Sequence, residues 1–224
     1  MRKIKIFTII IVLTTMMIVL PIKETKAIQG FSGTTGVSIM ENGENISNND
    51  GKLTLLKSIN NEKIQPGKKY PYKLAIKNSG STNEFVRVII TKSIISNGDK
   101  NVSPTLVKLG FDNGNNWITD TKSATSESVT MYCKKMLKAN ETTANVINYF
   151  MLNNEILKLI NEETITDENG YKNINISYQF DNTVIELNVV VEAVQAVNAT
   201  SAIESTWEVE VELNNDETEI ISIK

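Results

Sequence analysis

Carboxylates are the side chains of this chain best suited to chemistry, because its 224 residues include no histidine. The missing imidazole excludes zinc sites of the HExxH kind and serine or cysteine triads with a histidine base. Paired carboxylates can hydrolyse a glycoside, and the densest acidic set is Glu208, Glu210 and Glu212. Its alternation with apolar residues is more typical of a solvated strand face. No phosphate-binding glycine loop occurs, so the sequence predicts neither an enzyme nor a cofactor.

Two loops rich in Asp and Asn, at 112–116 and 167–170, have the composition of calcium-binding turns. Neither loop has the spaced carboxylates and the closing Glu of an EF-hand. Asn, Asp and Gly in this density also favour ordinary turns. We therefore interpret both loops as turns and predict no metal site.

Five aromatic residues are candidates for a sugar-binding platform. Aromatics on alternating strands are more typical of a core than of a ligand surface. Trp117 follows a turn, and of the five it is the residue whose burial the alternation pattern predicts least. The five are Tyr70, Tyr72, Phe85, Trp117 and Trp207.

Cys133 is the single cysteine of the chain, so no disulfide forms within it. It alternates with Val129 and Met131 in an apolar run. This position predicts a buried and unreactive thiol.

Short alternating runs, separated by Asn, Ser, Asp and Gly clusters, predict an antiparallel β-sandwich or barrel. The clearest strands are 69–78, 85–90, 183–194 and 207–213, the first two forming a hairpin after a Pro66-Gly67 turn. Weaker strands are expected at 52–57, 128–136, 146–152 and 174–180, and short helices at 154–160 and 201–205. The apolar side of these runs predicts a core that includes Leu74, Ile76, Val88, Leu187, Val189, Val191, Trp207, Val209 and Val211.

The N-terminus has the three-part pattern of a secretory signal peptide. Basic residues precede an uncharged run at 6–20, which Pro21 ends, and the small residues Thr25 and Ala27 follow. The run is shorter than the roughly 20 residues of a membrane span, so cleavage between Ala27 and Ile28 is favoured over an uncleaved anchor. The remaining chain has 18 basic and 25 acidic residues, a net charge of −7. This charge disfavours binding to nucleic acid or to anionic lipid, and we expect no membrane attachment after cleavage.

Beyond the signal peptide at 1–27, the sequence predicts an arm with a first strand at 28–50 and one sandwich domain at 51–224. Residues 28–40 are rich in Gly, Thr and Ser and weakly patterned, which is typical of a flexible segment. Such an arm either docks in its own chain or adds as a strand to the sheet edge of a neighbour. The candidate assembly residues are Ile28, Phe31, Val37 and Ile39.

The order of several motifs resembles that of the TasA/camelysin family of secreted bacterial proteins. The stretch PGKKYPYKLAIKNSGSTNEFVRVII contains a Pro-Gly turn, a strand, an Asn-x-Gly-Ser turn and a strand with Val-Arg-Val. The match is carried here by Pro66, Gly67, Asn78, Gly80, Val86, Arg87 and Val88. Later landmarks, within a similarity that spans roughly 50 to 213, are Trp117-Ile118, Tyr132 to Lys135, Glu192 to Ala196, Asn198 and Trp207.

The resemblance implies a jelly-roll-like β-sandwich that is exported to the cell surface or biofilm matrix, where TasA-like proteins form fibres. Camelysin-type members are described as metalloendopeptidases. Because this chain has no histidine, the resemblance assigns this activity to none of its residues. The segment Thr25-Lys26-Ala27 also departs from the aromatic signal end of the family. We therefore expect an ordinary signal peptidase.

Two functions follow as hypotheses. The first is a secreted structural protein that associates with itself through strand edges, with other matrix or cell-wall components as further partners. The second is a non-catalytic surface module that binds a cell-wall glycan or a host ligand, with Trp117 and loop residues supplying the contacts.

Overall fold

Strands account for most of the chain that the computed structural model describes, which comprises residues 36–46, 52–54, 64–96, 102–112, 114–166, 172–178 and 183–224. All of these residues fall within one compact unit, 33–224. The strands are β1 (Val37–Glu41), β2 (Glu44–Asn45), β3 (Lys52–Thr54), β4 (Lys69–Asn78), β5 (Glu84–Ser96), β6 (Val107–Phe111), β7 (Trp117–Thr119), β8 (Ser128–Cys133), β9 (Ile147–Leu152), β10 (Ile160–Thr166), β11 (Lys172–Tyr178), β12 (Thr183–Gln195), β13 (Val211–Leu213) and β14 (Ile220–Ile223).

Two five-stranded antiparallel sheets form the sandwich. The first sheet has the strand order β2-β1-β4-β9-β6, and the second has β3-β12-β5-β8-β7. One buried apolar cluster takes members from both sheets, for example Leu74 and Phe150 from the first and Val88 and Leu187 from the second. Two sheets that share one core are a sandwich, so the predicted all-β antiparallel sandwich is confirmed. The jelly-roll topology stays a prediction.

The alternation in β4 shows why these runs become strands. Its tyrosines, Leu74 and Ile76 face the core, while the lysines between them face outward. Of the predicted core residues, Leu74, Ile76, Val88, Leu187, Val189 and Trp207 are buried. Val191, Val209 and Val211 are only partly buried and pack against the clusters.

The predicted hairpin between the strands at 69–78 and 85–90 is wrong. A tight turn joins β4 to β5, yet β4 pairs with β1 and β9, whereas β5 pairs with β12 and β8. The turn therefore carries the chain from one sheet to the other. Short connections favour pairing, but here the partners of both strands come from distant parts of the chain.

The turn at Pro66-Gly67 is confirmed. Gly67 has a φ of +80°, a value that glycine adopts without steric cost. Its N–H donates to the Leu152 carbonyl at 2.7 Å, which ties the turn to β9.

The strand predicted at 207–213 is wrong in its first half. Trp207 is the last residue of helix α1 (Ala199–Trp207), residues 208–210 lie in neither a helix nor a strand, and β13 begins only at Val211. The helix buries Ala199, Ile203 and Trp207, which are four residues apart and share one face. Glu208, with a φ of +58°, ends the helix in the left-handed conformation. Within the described residues, no helix is long and apolar enough to cross a membrane.

Helix α1 and the β13–β14 hairpin cover part of the outer face of the second sheet. A second apolar cluster lies between them and includes Phe85, Tyr132, Val194 and Trp207. Arg87 spans its border, since it pairs with Glu192 at 2.6 Å and donates to the Trp207 carbonyl at 3.1 Å. This second layer explains why β5 and β12 carry apolar residues on both faces.

Strands β10 and β11 form a separate two-stranded sheet that the sequence patterns only partly indicated. The helical segment expected at 154–160 is a short 3₁₀ helix at Asn154–Lys158, with Ile156 buried. Exposed Ile165 and Ile174 lie on the hairpin that follows.

Candidate functional site

The candidate site is the pairing of β1 with β4, because this pairing docks the first described strand of the chain on the first sheet. Five residue pairs join the two strands, from Val37 opposite Asn78 to Glu41 opposite Leu74. Ile39 points into the core and is 8% exposed. Val37 and Ile39, predicted as arm residues, thus lie in a strand docked in their own chain. Ala27, Ile28 and Phe31 lie outside the described residues.

Backbone hydrogen bonds hold both ends of β1. The Gly36 carbonyl accepts from the N–H groups of Ser79 and Gly80, at 2.9 and 3.1 Å. At the other end, Asn42 donates its N–H to the Lys73 carbonyl at 2.8 Å, and its side-chain oxygen accepts the Lys73 N–H at 2.9 Å. Backbone contacts of this kind recognise an extended segment with little dependence on its sequence.

Asn78 builds the turn that receives Gly36. Its side chain is fully buried, and its Oδ1 accepts the Gly80 N–H at 2.9 Å. Its Nδ2 donates to the carbonyls of Thr82 and Leu137, at 2.7 and 3.1 Å. Because every polar atom of this amide is engaged, Asn78 fixes the direction of the N–H groups that hold β1.

Glu84 is a buried carboxylate beside this turn, and the alternation pattern alone did not single it out. It is 0% exposed, and among the described residues neither of its carboxylate oxygens has a hydrogen-bond partner. The hydroxyl of Thr82 is also buried without a partner there. Burial raises the pKa of the Glu84 carboxyl to about 7, and the nearby Gly36 N–H opposes this shift only in part. An acid in such surroundings is most stable in its protonated form.

Tyr72 ties the far end of β1 to the core. Its hydroxyl donates to Glu41 Oε1 at 2.8 Å, and its ring is fully buried. Burial raises the pKa of Tyr72 well above its ordinary value, and the charge of Glu41 and the hydrogen bond to it add to this effect. The phenol therefore stays a donor and keeps Glu41 in place.

The described residues of the loop at 112–116, which are 112 and 114–116, behave as the predicted turn. Asn116 Nδ2 donates to the Asp112 carboxylate at 2.7 Å, and Lys134 Nζ donates to the Gly114 carbonyl at 2.8 Å. The loop at 167–170 lies outside the described residues. In the part of the chain that the structure describes, no group of three or more His, Cys, Asp or Glu residues is placed to hold a metal ion.

The expectation that Trp117 supplies ligand contacts is wrong. Its side chain is fully buried, and its indole N–H donates to the Ala144 carbonyl at 3.1 Å. Trp117 is placed opposite Cys133 in the ladder between β7 and β8, so strand pairing turns it inward. The buried thiol predicted for Cys133 is confirmed, and burial raises the pKa of this thiol to about 11.

Comparisons with protein-family models, with curated proteins and with solved structures found no match to this chain. The function of the site is therefore inferred from its geometry. The β1–β4 pairing offers backbone donors and acceptors, a buried anchor at Ile39 and a fixed turn at Asn78. These features suit the binding of a strand, in the manner of β-strand addition.

Proposed function

We propose that this chain is a secreted structural protein of the cell surface or biofilm matrix, which assembles into fibres by exchanging its first strand between copies. The observation that carries the proposal is the β1–β4 pairing. It is short, its contacts are largely between backbones, and its one deeply placed apolar side chain is Ile39. The motif resemblance to the TasA/camelysin family gives further support.

Exchange of β1 costs little free energy once a neighbour is available. The strand of a second copy makes the same hydrogen bonds to β4 and inserts the same isoleucine, as in domain swapping. Without a strand in place, Leu74, Ile76 and the backbone of β4 lose their cover, and unpaired buried backbone groups are costly. An empty site is therefore disfavoured, and the site is filled either from the same chain or from another.

The outer edge of β1 offers a second contact. The short strand β2 pairs with Met40 and Glu41 at one end of β1. A strand that is covered over only part of its length is a template for pairing with another chain. In a fibre this edge adds a contact to the exchanged β1 and does not replace the exchange.

A disulfide that locks β1 in its own chain should abolish assembly. Ser38 and Lys77 are cross-strand partners, with Cβ atoms about 5 Å apart, close to the roughly 4 Å of a disulfide. We expect the oxidised Ser38→Cys/Lys77→Cys protein to remain a monomer by light scattering and electron microscopy. The same protein should form filaments after reduction.

The Ser38→Cys single variant, treated with the same oxidant, is the matched control and should assemble. Filaments from the locked protein, equal to those of the reduced protein, would rule out exchange of β1. Deletion of 28–35 tests the arm separately, because the described contacts of β1 begin at Gly36. This variant keeps β1 whole, so we expect it to fold and to assemble like the parent protein, and a loss of assembly would show that the exchanged segment extends to residues before Gly36.

Secretion predicts a mature chain that starts at Ile28. The expected result is a single N-terminal sequence, IQGFSG, in protein collected from the medium or the cell surface. Material that still carried 6–20 would contradict cleavage at Ala27.

A further inference from the structure

Lys92 interrupts an apolar stripe on β5. The residues that face the interior from this strand are Val86, Val88, Ile90 and Ile94, all buried, and Lys92 lies between the last two at the same parity. Residues two apart on a strand share a face. The lysine therefore extends into the space between the two sheets, where an aliphatic side chain is the ordinary choice.

Among the described residues, the ammonium group of Lys92 makes one side-chain hydrogen bond. Its Nζ donates to the Val107 carbonyl on β6, in the opposite sheet, at 2.7 Å. Among the described residues, no carboxylate forms an ion pair with it, and burial lowers the pKa of its amine. A partly buried cation without a counter-charge is destabilising, so an anion brought to this position would gain a favourable contact.

The lysine lines a cleft of about 270 Å³ at the edge of the sandwich. Ile90, Leu109, Phe111 and Val129 supply apolar walls, from β5, β6 and β8. Thr125 braces the loop above them, since its hydroxyl accepts the Ser128 N–H at 2.9 Å. A cavity of this size holds several water molecules and suits a small organic molecule.

We propose that this cleft binds a small carboxylate with an apolar tail, which pairs its carboxylate with Lys92 and packs its tail on the four apolar walls. Charge complementarity selects the anion, and the walls select the tail. Glu127 at the rim is exposed and repels a negative charge placed at the mouth. A second cavity of about 300 Å³ also reaches Lys92, but it adds the carboxylate of Glu186 and is the poorer site for an anion.

Titration of the secreted protein with octanoate tests this site, which does not rest on the proposed assembly function. We expect saturable binding, with amide NMR shifts centred on Ile90, Leu109 and Val129, and about tenfold weaker binding of octanol. Lys92→Met should lose octanoate affinity by about tenfold or more while octanol binding is kept. Met fills a similar volume and adds no polar group, so folding should be retained.

Lys108→Met is the matched control, because Lys108 lies on β6 but is exposed. It should bind octanoate like the parent protein. Val129→Phe fills the cleft and should weaken both ligands, which keeps the test decisive if Lys92→Met does not fold. Equal octanoate affinity in the parent and Lys92→Met proteins would overturn the proposal. So would equal affinity for octanoate and octanol, shifts centred elsewhere, or no saturation up to the solubility limit.

Discussion

Val189→Asp should lower the free energy of unfolding by about 4 kcal/mol. Val189 is 3% exposed and lies opposite Ile90 on β5, within the core shared by the two sheets. A carboxylate there is either charged without a partner, or it takes up a proton well above its ordinary pKa. Both states lower the free energy of unfolding. Denaturant titration followed by circular dichroism measures the change.

Val190→Asp is the matched control for this experiment. Val190 is the next residue of β12, points to the opposite face and is 44% exposed. The same chemical change there should cost less than about 1 kcal/mol, chiefly through the lower strand propensity of Asp. Equal losses in the two variants would show that the inward face of β12 is assigned wrongly.

Glu84 should make the protein less stable as the pH rises, by about 3 kcal/mol between acid and mildly alkaline conditions. Burial raises the pKa of its carboxyl from 4.5 to about 7 in the folded chain. Between these two values the folded state binds more protons than the unfolded state, so a rise in pH favours unfolding. The contribution is fully present below pH 4.5 and is lost as the pH rises through about 7.

Glu84→Gln removes this titration and keeps the shape of the side chain. We expect urea denaturation at pH 5 and pH 8.5 to show a large loss of stability for the parent protein and a much smaller one for the variant. Glu204→Gln, at an exposed position on α1, should retain the parent behaviour. Equal pH dependence of the parent and Glu84→Gln proteins would show that the titration of Glu84 does not carry this loss of stability.

This titration bears on the proposed assembly, because Glu84 lies next to the turn that receives Gly36. Ionisation would place a buried negative charge at the end of β1 where the arm joins the strand. The disulfide-locked variant reports the effect on stability alone, since its β1 stays paired with β4 of the same chain at every pH. Filament formation that depends on pH in the parent protein and not in Glu84→Gln would assign that dependence to Glu84.

Local alternation predicted the strands whose faces differ in polarity. β4 matches its expected bounds because lysines alternate with tyrosine, leucine and isoleucine along its length. The same reasoning located most of β12 and β9 and placed Val88, Leu187 and Val189 in the core. Such strands can be predicted from the sequence because the alternation of apolar and polar residues involves only residues that are close together in the chain.

Long-range packing decided the secondary structure where the spacing of apolar residues fits both a strand and a helix. Trp207 alternates with Val209 and Val211, but it also stands four and eight residues after Ile203 and Ala199. In the folded chain these three residues form the buried face of α1 and belong to the same apolar cluster as Phe85 and Val194 of the second sheet. The competition was settled by residues far away in the sequence, and a single-chain pattern contains no information about them.

The composition and order of residues determined by themselves that an imidazole-based site is excluded, that Cys133 has no intrachain partner and that the fold is antiparallel β. The inward placement of Glu84 and Lys92, the burial of Trp117 and the docking of β1 on β4 were decided only by the tertiary structure. A polar residue on a strand reveals its face only when the register and the opposing sheet are known. Both are set by contacts between segments that are distant along the chain.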